Sequence, residues 1–137
     1  MIFSLFKFSK NSLENYIQKV NTGESKVLAI DFDGVIHSNE LGFHDGTVYG
    51  TPIKGVEQAL EELSKKYTLI IHTSKANPNR PLINGKTGKE LIWEWLGKYK
   101  LNSYITNITY HKINASYYID DKAIHFTNWS SVLKKIK

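Results

Sequence analysis

The chain has 137 residues, 41% of them hydrophobic and 23% charged, which is the size and composition of one globular domain with room for a real core. It contains no cysteine, so disulfides, thiol catalysis and thiolate metal sites are excluded; any metal must be held by oxygen or imidazole, and carboxylates favour a hard ion such as Mg²⁺. The net charge of +5 suits an anionic partner, yet the lysines are dispersed, with small concentrations only at Lys65-Lys66 and Lys134-Lys135, and read mostly as a solvated surface.

Met1 to Lys10 begins apolar but is broken by Lys7 and Lys10. It is too short and interrupted for a signal peptide or a membrane span, so a cytoplasmic protein with no membrane partner is expected. Ser9 to Val20 places Leu13, Tyr16, Ile17 and Val20 at helical spacing behind Asn11 or Ser12 as N-cap. This predicts an N-terminal helical extension over residues 1–24, stopped by Asn21-Thr22-Gly23.

Lys26 to Phe32 predicts the first strand. Its apolar run does not alternate, which is the pattern of a strand buried on both faces, as in a parallel sheet. The run leads straight into Asp31 and Asp33, one residue apart, and then Gly34. If the strand continued through them, both carboxylates would face the same side. Paired negative charge at a sheet edge is costly unless a metal, a proton or a cation answers it.

His37 to Tyr49 is polar and dotted with glycine, a loop or short hairpin over the end of that strand. Thr51-Pro52 predicts a helix start, with Val56, Ala59, Leu60 and Leu63 as its buried stripe and an end near Lys66. Tyr67 to His72 is a second buried strand, closed by Thr73-Ser74. A loop over Lys75 to Gly88 precedes a helix over Lys86 to Tyr99 with Leu91, Ile92, Trp95 and Leu96 on one face. Tyr104 to Thr109 and Ala115 to Ile119 predict the third and fourth strands, the latter running into Asp120-Asp121. His125-Phe126 suggests a short fifth strand, and Asn128 caps a final helix over Trp129 to Lys137.

Strands alternating with helices predict an α/β fold, a Rossmann-like parallel sheet flanked by helices. In such sheets ligands bind at the carboxyl ends of the strands. Asp31/Asp33, Thr73/Ser74 and Asp120/Asp121 all fall at predicted strand carboxyl ends, an argument for a site that needs no family.

The same residues carry a resemblance. A hydrophobic strand entering Asp31-Phe32-Asp33-Gly34-Val35, a strand closed by Thr73, Lys112 ahead of the fourth strand, and Tyr117-Tyr118-Ile119-Asp120-Asp121 together resemble, in order, the four motifs of the haloacid dehalogenase superfamily of phosphatases and phosphotransferases. The resemblance runs from about Val27 to Trp129 and implies a catalytic domain over residues 25–137. It implies that Asp31 is the nucleophile that forms an aspartyl-phosphate, and Asp33 the general acid and then base, partly protonated beside other negative charge. Thr73 would hydrogen-bond a phosphoryl oxygen and Lys112 neutralise it. Mg²⁺ would be held by Asp31, the backbone carbonyl of Asp33, and Asp120, Asp121 or both.

Cap domains of that family have no room here, since Gly34 to Tyr67 and Ser74 to His111 hold only loops, one helix each and one strand. An open site of this kind resembles those acting on macromolecules or on substrates enclosed by homo-oligomerisation. A nucleotide, a phosphorylated nucleic-acid end and a phosphosugar are all compatible, and Ser74, Lys75 and Arg80 are candidates to meet the substrate. The alternatives are a phosphotransferase of the same superfamily and a non-catalytic phosphate-binding or signalling α/β module. Taken singly, Thr73 is most simply a cap and Lys112 a surface lysine, while Asp120-Asp121 is as readily a solvated turn as part of a site. His37, His44, His72, His111 and His125 are scattered without metal-ligand spacing, so zinc is not expected. Trp93 and Trp95 are expected to pack against the sheet or sit half exposed.

Overall fold

A computed structural model of the chain describes residues 26–136. The expected N-terminal helix, and with it the extension over residues 1–24, lies outside the described residues. In chain order the elements are β1 (Val27–Ile30), α1 (Val56–Ser64), β2 (Thr68–His72), α2 (Gly88–Lys98), β3 (Asn107–Thr109), β4 (Tyr117–Ile119) and α3 (Trp129–Lys135). Single 3₁₀ turns occupy Ser74–Ala76 and Asn102–Tyr104. Among the described residues the four strands form one parallel sheet in the order β3-β2-β1-β4. These residues make a Rossmann-like α/β arrangement of a parallel sheet and, among the described residues, three helices.

The β-branched and leucine-rich runs of β1 and β2 make the centre of the sheet because both faces of a parallel strand must be covered. Leu28, Ile30, Leu69 and Ile71 join Phe32, Ile36, Leu60, Ile92, Trp95, Leu96, Ile105 and Ile108 in one buried cluster. Each such side chain contributes on the order of 1.5–3 kcal/mol by leaving water. α1 contributes Val56 and Leu60 to this cluster; Ala59, expected in its buried stripe, is exposed. α2 contributes Ile92, Trp95 and Leu96, and starts where Thr87 and Glu90 form a reciprocal capping box.

Several boundaries differ from expectation for local reasons. α1 starts at Val56 instead of Thr51-Pro52, because Pro52 pairs with His37 in an isolated antiparallel bridge and Ile53 donates to the Ile36 carbonyl. Gly55 then turns the chain into the helix at φ 88°, a conformation open to glycine. β3 is shorter than Tyr104 to Thr109, since Asn102–Tyr104 coil as a 3₁₀ turn behind α2. His125-Phe126 form no strand; Phe126 packs edge-on against Trp129 at 5.3 Å. Asn128 does cap α3, accepting the Ser131 N–H at 2.9 Å, but Trp129, Leu133 and Ile136 remain exposed. No helix among the described residues is long and apolar enough to cross a membrane.

Register explains why polar residues converge. Ile30 stands opposite Ile71 and Ile119, so Asp31, His72 and Asp120 follow at one level at the carboxyl edge. Backbone bonds extend this edge beyond the strands: Asp31 N–H donates to Ile119 and Thr73 N–H to Thr109, each at 2.9 Å.

Candidate active site

β1 ends at Ile30, so Asp31 and Asp33 sit on a turn instead of a continuing strand. Asp31 is half-buried, and one carboxylate oxygen accepts the Phe32 N–H at 2.8 Å. Across the edge, Asp31, Asp120 and Asp121 each offer an oxygen, all within 4.8 Å of one another. The last two carboxylates are exposed, coming from the loop after β4. Burial lifts the Asp31 pKa most, the Phe32 N–H pulls it down, and the charges of Asp120, Asp121 and Asp33 add to the rise, giving about 6. Three anionic oxygens converging from two adjacent strands form a donor set that fits a hard divalent ion and repels itself without one.

Gly34 makes this convergence sterically feasible. Its φ is 84°, and a Cβ there would stand 2.5 Å from Asp121 Oδ2. Only a residue without a side chain lets the Asp121 carboxylate lie so close over the turn.

Asp33 has a different environment. Its Oδ1 is 2.8 Å from His37 Nδ1 and its Oδ2 is 3.4 Å from the Lys75 ammonium. Burial pushes its pKa up, but the His37 hydrogen bond and the Lys75 charge outweigh that and hold it below the usual value. The expectation that neighbouring negative charge keeps Asp33 partly protonated is therefore reversed: Asp31 carries the raised pKa, and Asp33, facing two cationic or donor groups, stays ionised.

His37 is fully buried between stacked Phe32 at 5.3 Å and the edges of Tyr49 and Trp95 at 5.1 and 5.5 Å. Gly50 N–H donates to its Nε2 at 2.8 Å, and Trp95 Nε1–H donates to the Gly50 carbonyl at 2.9 Å. Because Nε2 accepts, the ring proton sits on Nδ1 and is given to Asp33. The core thus fixes the orientation of Asp33 through three links, His37, Gly50 and Trp95.

Thr73 is buried at the end of β2, where its Oγ1 accepts the Lys75 N–H at 3.3 Å and caps the 3₁₀ turn. Capping and a phosphoryl contact are compatible uses of one hydroxyl, which can still donate. That turn exposes Ser74 and buries Lys75, which is 4% exposed. The Lys75 ammonium has no hydrogen-bond acceptor among the described residues, although it pairs electrostatically with Asp33. Lys112 forms no ion pair with these carboxylates among the described residues: it is exposed, with its ammonium 5.6 Å over the Tyr118 ring. Arg80 is exposed and places its guanidinium 5.8 Å over the Phe43 ring.

The structure brings Asp31, Asp120 and Asp121 into one cluster and Asp33 and Lys75 into another, with Thr73 beside Lys75. It leaves Lys112 on Tyr118 and Arg80 on a neighbouring loop. His37 and Gly50 were missed by sequence reasoning; the only available signal was a histidine four residues after Asp33, inside a glycine-dotted stretch. Compared with known proteins, the chain matches no family model, no curated protein and no solved structure.

Proposed function

We propose that the chain is a Mg²⁺-dependent phosphomonoester hydrolase of the kind found in the haloacid dehalogenase superfamily, working through an aspartyl-phosphate on Asp31. The observation that carries this reading is the division of the carboxylates: Asp31 clusters with Asp120 and Asp121, whereas Asp33 is held apart by His37 and Lys75. One set suits a cation and a nucleophile, the other proton transfer.

Asp31, Asp120 and Asp121 would hold the ion, and its charge would let an anionic phosphate approach a carboxylate nucleophile. An Asp31 oxygen attacks phosphorus while the bond to the ester oxygen breaks, and Asp33 supplies that oxygen with a proton. A phosphoryl group that draws the Lys75 ammonium toward itself removes the main charge holding Asp33 ionised, which favours its protonated form for this step. Water then attacks the aspartyl-phosphate as Asp33 takes one of its protons, releasing phosphate and regenerating Asp31. Lys75 and Thr73 offer N–H and O–H donors to phosphoryl oxygens. Exposure of Asp120 and Asp121 leaves the site open to water, which favours hydrolysis over transfer to a second substrate.

The test is p-nitrophenyl phosphate hydrolysis by the full chain with Mg²⁺, with EDTA, and with Asp31→Asn. Turnover that requires the metal and disappears in the variant supports the reading. Turnover indifferent to both EDTA and the substitution, or no hydrolysis across a broad panel of phosphomonoesters, overturns it.

A further inference from the structure

The sheet has two faces, and the described helices cover one of them. Side chains alternate along a strand, so the register puts Leu28, Ile30, Leu69 and Ile71 on one face and Val27, Ala29, Ile70 and Tyr118 on the other. The first set is packed with Val56 and Leu60 of α1 and with Ile92, Trp95 and Leu96 of α2. Right-handed crossovers from β1 to β2 and from β2 to β3 place both helices on that side. The step from β3 to β4 reverses direction along the sheet, so its connection passes over the opposite face, where a doubly wound fold carries a further helix.

That connection is residues 110–116, and it holds no helix. Tyr118 pins it: the hydroxyl donates to the Ile113 carbonyl, and the ring lies under the Lys112 ammonium at 5.6 Å. α3 buries no residue and does not supply the cover. Val27, Ala29 and Ile70 accordingly stand outside the core cluster and outside the side chains packed against it among the described residues. Ala29 is buried between Ile70 and Tyr118, but Val27 and Ile70 are only half-buried and Tyr118 is 41% exposed. The strands of a parallel sheet need cover on both faces.

We propose that residues 11–20 of this chain, which lie outside the described residues, supply that cover as a helix antiparallel to β1, with Leu13, Tyr16, Ile17 and Val20 laid on Val27, Ile70 and Tyr118. The proposal is independent of the hydrolase reading. Sequence, length and attachment carry it. The four apolar residues share one helix face and Glu14, Asn15, Gln18 and Lys19 fall opposite, the pattern of a helix with a single surface to bury. A helix over 11–20 is about 15 Å long, close to the roughly 13 Å from Val27 to Asp31. Residues 21–25 join it to β1 and reach about 17 Å when extended, enough to reverse direction. β1 lies between β2 and β4, so the chain arrives at the middle of the sheet, where α1 and α2 already hold the other face. The segment is then part of the domain, standing where a crossover helix would, and not an appendage to it.

The test uses the full chain, which has no cysteine of its own. A nitroxide placed on Gln18→Cys, on the polar side of the helix, is expected to erase most of the amide signal of residues 27–29 and 68–70. Amides of α1 and α2, across the sheet, should keep most of theirs. Strongest loss at α1 or α2, or no selective loss anywhere, overturns the proposal. Mixing nitroxide-bearing chains with isotope-labelled unmodified chains should give no loss; loss at 27–29 and 68–70 in the mixture assigns the face to a second copy and also overturns it. Ile17→Asp in the labelled chain should restore the erased signals and lower the urea midpoint, whereas Asn15→Asp should change neither. An Ile17→Asp chain that keeps both the signal loss and the midpoint of the native sequence refutes the docking. Where that variant does not fold, the nitroxide pattern on the otherwise native chain decides.

Discussion

Replacing Asp31 with Asn separates the stability of this site from its chemistry. The Asp31 pKa rises from the usual 3.8 to about 6, with burial the largest cause. At 1.36 kcal/mol per tenfold change that corresponds to roughly 3 kcal/mol of destabilisation of the ionised form. Asp31 is only half-buried, and water screening reduces this to about 1–1.5 kcal/mol. Because the folded-state pKa lies above the unfolded one, the cost is absent below about pH 4, grows as pH rises through 6 and is complete above about pH 7. Asn keeps an oxygen for the Phe32 N–H and carries no charge. In EDTA at about pH 8, Asp31→Asn is therefore expected to melt roughly 3–7 °C above the native chain, and the gap should close at about pH 4. Saturating Mg²⁺ reverses the order, since an ion at a hundredfold over its Kd stabilises the native site by about 2.7 kcal/mol. Thermal melts at the two pH values, with and without the ion, check all of this. Equal melting in EDTA at pH 8, or a gain that persists unchanged at pH 4, refutes the claim that burial and the neighbouring carboxylates make an ionised Asp31 costly to the fold.

Gly34→Ala adds a Cβ 2.5 Å from Asp121 Oδ2 on a backbone at φ 84°. A loss of about 1–2 kcal/mol in denaturant melts and roughly tenfold weaker Mg²⁺ binding are expected. His37→Ala empties a fully buried position and should cost about 3 kcal/mol. If His37 positions the proton of Asp33, kcat falls more for an alkyl phosphate than for p-nitrophenyl phosphate, and His37→Asn, which keeps a donor near the Nδ1 position, recovers part of it; equal losses on both substrates would mark a role in folding alone. Lys75→Ala should lower kcat by about 10²–10³, and Lys112→Ala by less than about tenfold. The opposite ranking in steady-state assays would mean that the loop carrying Lys112 moves onto the phosphate when substrate binds.

The layout of the sheet was legible because its causes are local. Val27-Leu28-Ala29-Ile30 and Thr68-Leu69-Ile70-Ile71 are runs that only a doubly covered strand accommodates, and each ends in polar residues at the edge where ligands bind. Asp31, Asp120 and Asp121 converge for that reason. The features that sequence did not disclose depend on distant partners. His37 is buried by Trp95 and Tyr49 and oriented by Gly50, none of which lies within its own turn. The separate environments of Asp31 and Asp33 follow from β1 ending at Ile30, which breaks the alternation that would have put them side by side. Lys112 stands before β4 as expected, but the side-chain direction of a loop residue is set by the path of the chain over 110–116, not by its distance in sequence from a strand. The start of α1 was misplaced because proline favours a first helical turn, whereas here Pro52 is used to tie the loop back to His37.

The carboxylate cluster joins two parts of the sheet that differ in solidity. Asp31 follows a central strand whose Leu28, Ala29 and Ile30 are almost wholly buried, whereas Asp120 and Asp121 follow β4, where Tyr117, Tyr118 and Ile119 are exposed and the strand pairs with β1 alone among the described strands. An edge strand with little buried apolar surface opens more readily than the core to which it is attached. A cation held by Asp31, Asp120 and Asp121, as proposed above, would be a clasp as well as a reagent: by joining residues that follow both strands it would penalise every excursion of β4 away from β1. Backbone amides at 117–119 should exchange with deuterated solvent quickly in the free chain and slowly once the ion is bound, while those of β1 change little.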